Sequence, residues 1–172
     1  MKKVIGFIAV AALIYSSALM AEFDQSKAYV GGGLAYNSPD GSASDSMIGY
    51  QGFVGYDLND LVSIHEKVGF SVEAGYATSG DFCSTVDFGL GLGSQSFCGG
   101  SSDGIWTTAV FDYKVKEKIK AIGRIGYDLA NINGLIIGAG GQYELNSQMS
   151  VVAEYVIRNF HKGLQANFIY HL

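Results

Sequence analysis

Apolar and polar side chains alternate along this chain in runs of about ten residues, the period of a β-strand rather than of a helix. Between residues 68 and 77, Val68, Phe70, Val72, Ala74 and Tyr76 fall on one face, and Gly69, Ser71, Glu73, Gly75 and Ala77 on the other. Between 149 and 158, Met149, Val151, Ala153, Tyr155 and Ile157 form an apolar face. Ser150, Glu154 and Arg158 share the opposite face with Val152 and Val156. Side chains of a strand project alternately to its two sides, so each run has one greasy and one mixed face. The same pattern predicts strands over 27–37, 47–58, 67–78, 105–116, 120–129, 135–145, 149–160 and 163–172. Strands of soluble proteins have a modal length of ~5–6 residues, whereas a tilted membrane-spanning strand needs ~9–11. The predicted strands have the second length.

The connections differ in character at the two ends. Segments 59–66, 117–119 and 146–148 lie at one end, and two of these are tight turns. Segments 38–46, 79–104, 130–134 and 159–162 lie at the other, and the first two are long. Short turns on one rim and long loops on the other are the pattern of a membrane barrel. Only a closed sheet leaves no unpaired backbone edge in hydrocarbon. The expected fold is therefore all-β, an eight-stranded antiparallel up-and-down transmembrane β-barrel with its greasy face toward lipid. Tyr36, Tyr50, Tyr56, Tyr76, Tyr113, Tyr127, Tyr143, Tyr155 and Tyr170 fall mostly on that outward register, near strand ends, where their rings suit the headgroup level. The competing fold is a soluble barrel of lipocalin type, with the tyrosines as core.

Composition narrows the picture. The chain is 48% hydrophobic and only 16% charged, against ~25% charged in ordinary soluble domains, which excludes a disordered chain. A net charge of -5 without a clean basic cluster argues against nucleic acid as a partner. At the N-terminus, Lys2 and Lys3 precede an apolar run from Val4 to Tyr15, and small or apolar residues follow up to Ala21. This reads as a cleavable signal peptide over 1–21, with the barrel domain over 22–172. The other reading, an N-terminal anchor, asks a short run to fill a ~20-residue span. Cleavage removes two lysines and no acid, taking the formal charge from -5 to -7. No later stretch is long and apolar enough for a spanning helix.

The interior of an eight-stranded barrel is just wide enough for side chains to fill it. Glu73, Asp112, Lys114, Arg124, Asp128, Glu144, Glu154 and Arg158 fall on the mixed face, joined by Gln51, Gln142, Gln165 and Asn167. Acids and bases shut away from water must pair. The expectation is a polar network with Arg124 and Arg158 as hubs for Glu73, Glu144 and Glu154. Such a network is either a structural plug or the wall of a narrow ion path, and the pattern leaves both open. Gly31-Gly32-Gly33, Gly138 and Gly140-Gly141 lie inside strands, where they relieve crowding at tight curvature.

Cys83 and Cys98 are the only two cysteines. In an exported chain they are expected to form one disulfide, closing a loop of about 15 residues and worth roughly 3 kcal/mol by the chain-entropy account. Val86, Phe88, Leu90, Leu92 and Phe97 lie within it. They suit either a partner-binding hairpin or upward extensions of the flanking strands. Two cysteines and the scattered His65, His161 and His171 offer no metal-ligand spacing. Residues 100–104 match Gly-x-Ser-x-Gly, but that motif works where a strand turns sharply into a helix, and no helix is expected here. No cofactor or metal is called for, and the reading is non-catalytic.

The opening strand Tyr29-Val30-Gly31-Gly32-Gly33-Leu34-Ala35-Tyr36, the strand Val72-Glu73-Ala74-Gly75-Tyr76 and the segment Gly55-Tyr56-Asp57-Leu58-Asn59-Asp60 resemble small eight-stranded outer-membrane β-barrels of Gram-negative bacteria, of OmpA and OmpX type. The final strand resembles their C-terminal assembly signal through Phe168, Tyr170 and Leu172, with leucine last where phenylalanine is usual. The resemblance covers nearly all of 22–172, and its motifs are short. It implies an outer-membrane monomer with an envelope-integrity role and surface loops for adhesion or host contact, above all 79–104. The implied partners are outer-membrane lipids and lipopolysaccharide, the barrel assembly machinery and periplasmic chaperones. A small ion or solute pore is the alternative function, and a lipid-modifying enzyme a more distant one. The cell-wall anchoring of the longer OmpA-type proteins is not implied.

Overall fold

The computed structural model describes residues 24–39, 46–60, 65–81, 83–87, 93–99, 101, 103–129, 134–159 and 161–172. The signal-peptide reading over 1–21 lies outside them. A 3-10 turn, Gln25–Lys27, is capped by Asp24, whose side chain accepts from Ser26 N at 3.1 Å. Ten strands follow: β1 (Ala28–Pro39), β2 (Met47–Asp57), β3 (Val68–Thr78), β4 (Cys83–Asp87), β5 (Ser94–Cys98), β6 (Asp103–Lys116), β7 (Ile119–Asp128), β8 (Gly134–Glu144), β9 (Met149–Ile157) and β10 (His161–His171). Eight of them close into one antiparallel barrel in the order β1-β10-β9-β8-β7-β6-β3-β2, and β4 and β5 form a separate two-stranded sheet.

The seam joins the first strand to the last, from Tyr29↔His171 to Pro39↔His161. Leu172 N donates to Ala28 O at 3.0 Å beyond the end of that ladder. No barrel strand is therefore left with a free edge. The eight expected strands are all present, with shifted ends. β6 begins two residues early, and β9 stops at Ile157 while β10 starts at His161. Arg158 N donates to His161 O at 2.8 Å, which makes this connection a tight reversal rather than a loop. In 79–104 the structure adds the β4–β5 hairpin, with Cys83 opposite Cys98 and bonded to it. It is neither loop nor extension of β3 and β6, because β4 and β5 pair only with each other.

Burial follows the two-residue period. Along β9 and β10 buried and exposed positions alternate almost without a break. Leu34, Ile48, Tyr50, Val54, Ile125, Ile137, Tyr155 and Leu164 are among the large apolar side chains left exposed on the outer wall. Val72 and Val151 also face outward, and Phe70 and Phe111 touch there with ring centroids 5.0 Å apart. The named tyrosines lie on the outer register too, and Tyr29 is the inward exception. An oily centre exists as well: Phe53, Trp106, Ile122, Ile136, Val152, Val156 and Ile169 are buried inside the barrel with Tyr29.

So narrow a lumen needs gaps in its wall. A Cβ added at Gly75 would meet Gly52 O at 2.6 Å, Phe53 Cβ at 2.6 Å and Trp106 Cζ2 at 2.8 Å. One added at outward-facing Gly123 finds its nearest neighbour, Gly138 O, at 4.0 Å. Gly75→Ala is therefore expected to destabilise the barrel by ~1–3 kcal/mol through overpacking. Gly123→Ala should change stability little. Urea unfolding in vesicles compares the two, and equal midpoints would refute the crowding account.

Candidate functional site

The centre of the lumen is one arginine held between two glutamates. Arg124, on β7, donates from NH1 to Glu73 Oε2 on β3 at 2.8 Å and from Nε to Glu154 Oε2 on β9 at 2.7 Å. The three side chains are 4%, 2% and 0% exposed. The remaining carboxylate oxygens are also engaged. Tyr29 OH donates to Glu73 Oε1 at 3.1 Å. Gln165 Nε2 and Asn167 Nδ2 reach Glu154 Oε1 at 2.8 and 3.4 Å. Gln51 Nε2 donates to Asn167 Oδ1 at 2.8 Å, which extends the network to β2. Buried charges are tolerated only with this degree of pairing.

Two further charge groups flank the centre. Toward the long loops, Arg158 NH1 lies 2.7 Å from Asp128 Oδ1. Trp106 sits between the two levels, fully buried, with the guanidinium carbons of Arg124 and Arg158 5.7 and 5.8 Å from its ring. Both distances are within cation–π range. Toward the short turns, Lys120 Nζ lies 3.0 Å from Glu144 Oε1 and 3.7 Å from Asp112 Oδ1. A cavity of about 30 Å³, bounded by Asn37, Gln51, Asp128, Arg158 and Gln165, lies on the loop side. Another of about 60 Å³, bounded by Tyr29, Asp57, Asp112, Lys120 and Arg124, lies on the turn side.

Seven of the eight charged residues expected in the lumen thus stand inside it, in three groups rather than one. Arg158 is not a hub for the glutamates. It follows Glu154 by four residues, one past the end of β9, a rise of ~13 Å, so its partner is Asp128 at its own level. Glu144, at the turn end of β8, pairs with Lys120 instead. Lys114 is the correction. It is exposed at the rim and takes no part in the network. Lys114 and Lys120 face each other across the β6–β7 hairpin, and like charges directly opposed repel. Lys120 points to the acids, while Lys114 extends into solvent beside a register shift between Lys114 and Lys116.

No group of His, Cys, Asp and Glu that could hold a metal is found among the described residues. In the Gly-x-Ser-x-Gly segment, Asp103 and Gly104 open strand β6, so a strand follows it, and Ser102 lies outside the described residues.

A family profile described as "Outer membrane protein beta-barrel domain" matches residues 7–170. The chain belongs to this outer-membrane β-barrel family. Solved structures that resemble the barrel in fold include the following three. One is the attachment invasion locus protein Ail of Yersinia pestis, with 14% identity, a TM-score of 0.51 and coverage of 84% of this chain and 96% of that one. A de novo designed transmembrane β-barrel has 14% identity and a TM-score of 0.53, covering 88% and 99%. The designed barrel TMB2.3 has 19% identity and a TM-score of 0.54, covering 86% and 94%. No curated protein matches the sequence.

In outer-membrane barrels the short turns belong to the periplasmic rim and the long loops to the outer surface. Phe168, Tyr170 and Leu172 are exposed along the final strand. Tyr29, Asp57, Trp106 and Lys120 are among the lumen residues that pattern reading missed. Trp106 stands on the mixed face of its strand, in step with Thr108 and Val110, and that parity is the signal that places it inside.

Arg124→Ala leaves two buried carboxylates without their cation and is expected to cost ~3–5 kcal/mol, read as a lower unfolding midpoint in vesicles. Lys120→Gln should destabilise the barrel, and Lys114→Gln should not. A larger loss at Lys114 than at Lys120 would contradict the placement of the two side chains.

Proposed function

We propose that this outer-membrane barrel is a non-catalytic envelope protein with a closed lumen, which maintains the membrane and displays its loops for adhesion or host contact. The observation that carries this reading is the Arg124–Glu73–Glu154 cluster, which occupies mid-lumen beside the buried Trp106 and leaves cavities of about 30 and 60 Å³ on its two sides. Residues 1–21 act as the export signal and are removed. Phe168, Tyr170 and Leu172 are offered to the barrel assembly machinery after periplasmic chaperones deliver the chain. The inserted monomer is surrounded by lipid and lipopolysaccharide. The hairpin within 79–104 is the part presented to host or surface ligands. Its Cys83–Cys98 bond holds the strands together, and Phe97 is 55% exposed on it. The fold likeness to Ail, named for attachment and invasion, supports that assignment.

The second reading, a small ion pore, rests on the same two cavities, which lie on either side of the Arg124 cluster. Planar-bilayer recording separates the two: a closed lumen gives no large steady conductance, and persistent openings would favour the pore. Cys83→Ser with Cys98→Ser should leave the barrel's unfolding midpoint within ~0.5 kcal/mol of the parent, because the hairpin pairs with no barrel strand. It should weaken any binding carried by the hairpin. A barrel that unfolds with the double substitution would show the hairpin to be part of its support.

A further inference from the structure

The basic residues are distributed unevenly over this barrel. After Lys3 the chain has nine of them: Lys27, Lys67, Lys114, Lys116, Lys118, Lys120, Arg124, Arg158 and Lys162. Arg124 and Arg158 are in the lumen, and Lys162 lies on the outward face of β10 near the long loops. The other six belong to the short-turn rim. Two of these are neutralised: Lys27 Nζ is 2.6 Å from Asp60 Oδ2, and Lys120 is tied to Glu144 and Asp112. The remaining four, Lys67, Lys114, Lys116 and Lys118, are exposed. None of them makes an ion pair among the described residues.

These four form a continuous arc. Lys114 N donates to Lys67 O at 2.9 Å, which fixes the start of β3 beside the end of β6. Lys116 pairs with Ile119 across the β6–β7 turn that contains Lys118. Glu144 N donates to Lys118 O at 2.9 Å, bringing β8 to the same corner. On the outer wall of these strands lie Phe111, Tyr113, Val115, Ile119 and Tyr143, each 40–54% exposed. Lys116 and Lys118 thus stand at the edge of an apolar, aromatic band, and Lys67 and Lys114, of inward register but exposed, lie beside them at the rim, where flexible ammonium groups reach the headgroup level. Glu66 and Glu117, both exposed, are the immediate sequence neighbours of these lysines, so the arc sets four bases against two acids on a chain of net charge -5.

We propose that this lysine arc is a binding surface for the phosphate headgroups of anionic phospholipid in the periplasmic leaflet. Position selects a lipid over a soluble anion, because the charges border the lipid-facing band from the start of β3 through the end of β6 to the β6–β7 turn. Lysines near a membrane surface each add an attraction to anionic lipid that salt screens. The arc then gives the barrel a preferred lipid on one rim and fixes its depth there.

The test is native mass spectrometry of the folded barrel released from nanodiscs with equimolar phosphatidylcholine and phosphatidylglycerol, which counts the lipids retained. Phosphatidylglycerol is expected to be enriched about fivefold or more, and added salt should reduce the enrichment. Replacing all four lysines (K67Q, K114Q, K116Q and K118Q together) should bring the ratio close to one, whereas K162Q should retain the parent's value. Heat-modifiable gel mobility confirms that each variant is folded. If the fourfold variant does not fold, K116Q/K118Q replaces it and should lose about half of the enrichment. Equal retention of the two lipids by the parent, or enrichment unchanged by the lysine substitutions, overturns the proposal.

Discussion

The structure depends on a wall one residue thick that separates two incompatible surroundings. Hydrocarbon cannot accept an unpaired N–H or C=O, so the sheet must close. In the closed sheet each residue's neighbours in sequence face the opposite medium. The alternation along β9 and β10 is the direct record of that constraint. It also explains how the chain can turn its greasy side chains outward while keeping paired acids and bases inside the barrel.

The interior solves a second problem, since eight strands leave little room and no bulk water. Apolar side chains fill part of the space, and the charges are separated into three levels that each contain a base. The middle level is the driest and the most fully bonded. A Cβ on Gly138 would lie 2.8 Å from Arg124 Cγ and 3.0 Å from Val156 Cγ2, so β8 contributes to that level by leaving space. At the turn side the same logic leaves Lys120 among carboxylates and turns the other lysines out to the rim.

Much of this was legible in the two-residue period. Strand number, the outward face and the inward position of Glu73, Arg124 and Glu154 follow from parity alone. Parity does not give height; the four-residue step from Glu154 does, and it sets Arg158 a level above. Nor could parity distinguish Lys114 from Lys120, which share the inward parity and differ in which one meets the acids across the hairpin. The β4–β5 strands were obscured by their brevity and by the glycines between them. Tyr29 was not assigned to either face, because a phenol suits a headgroup and a buried carboxylate equally well.

Four of the bonds of the lumen share one geometric property: each passes over a strand. Tyr29 to Glu73 crosses β2, Glu73 to Arg124 crosses β6, Arg124 to Glu154 crosses β8, and Gln51 to Asn167 crosses β1. On a flat sheet such partners would stand ~9–10 Å apart, too far to touch with short side chains. They are therefore chords of a hoop, short enough only while the circle keeps its curvature. Flattening the cross-section into an ellipse would stretch some of them at once, so the barrel resists the lateral squeeze of the surrounding bilayer from within, much as spokes keep a rim true.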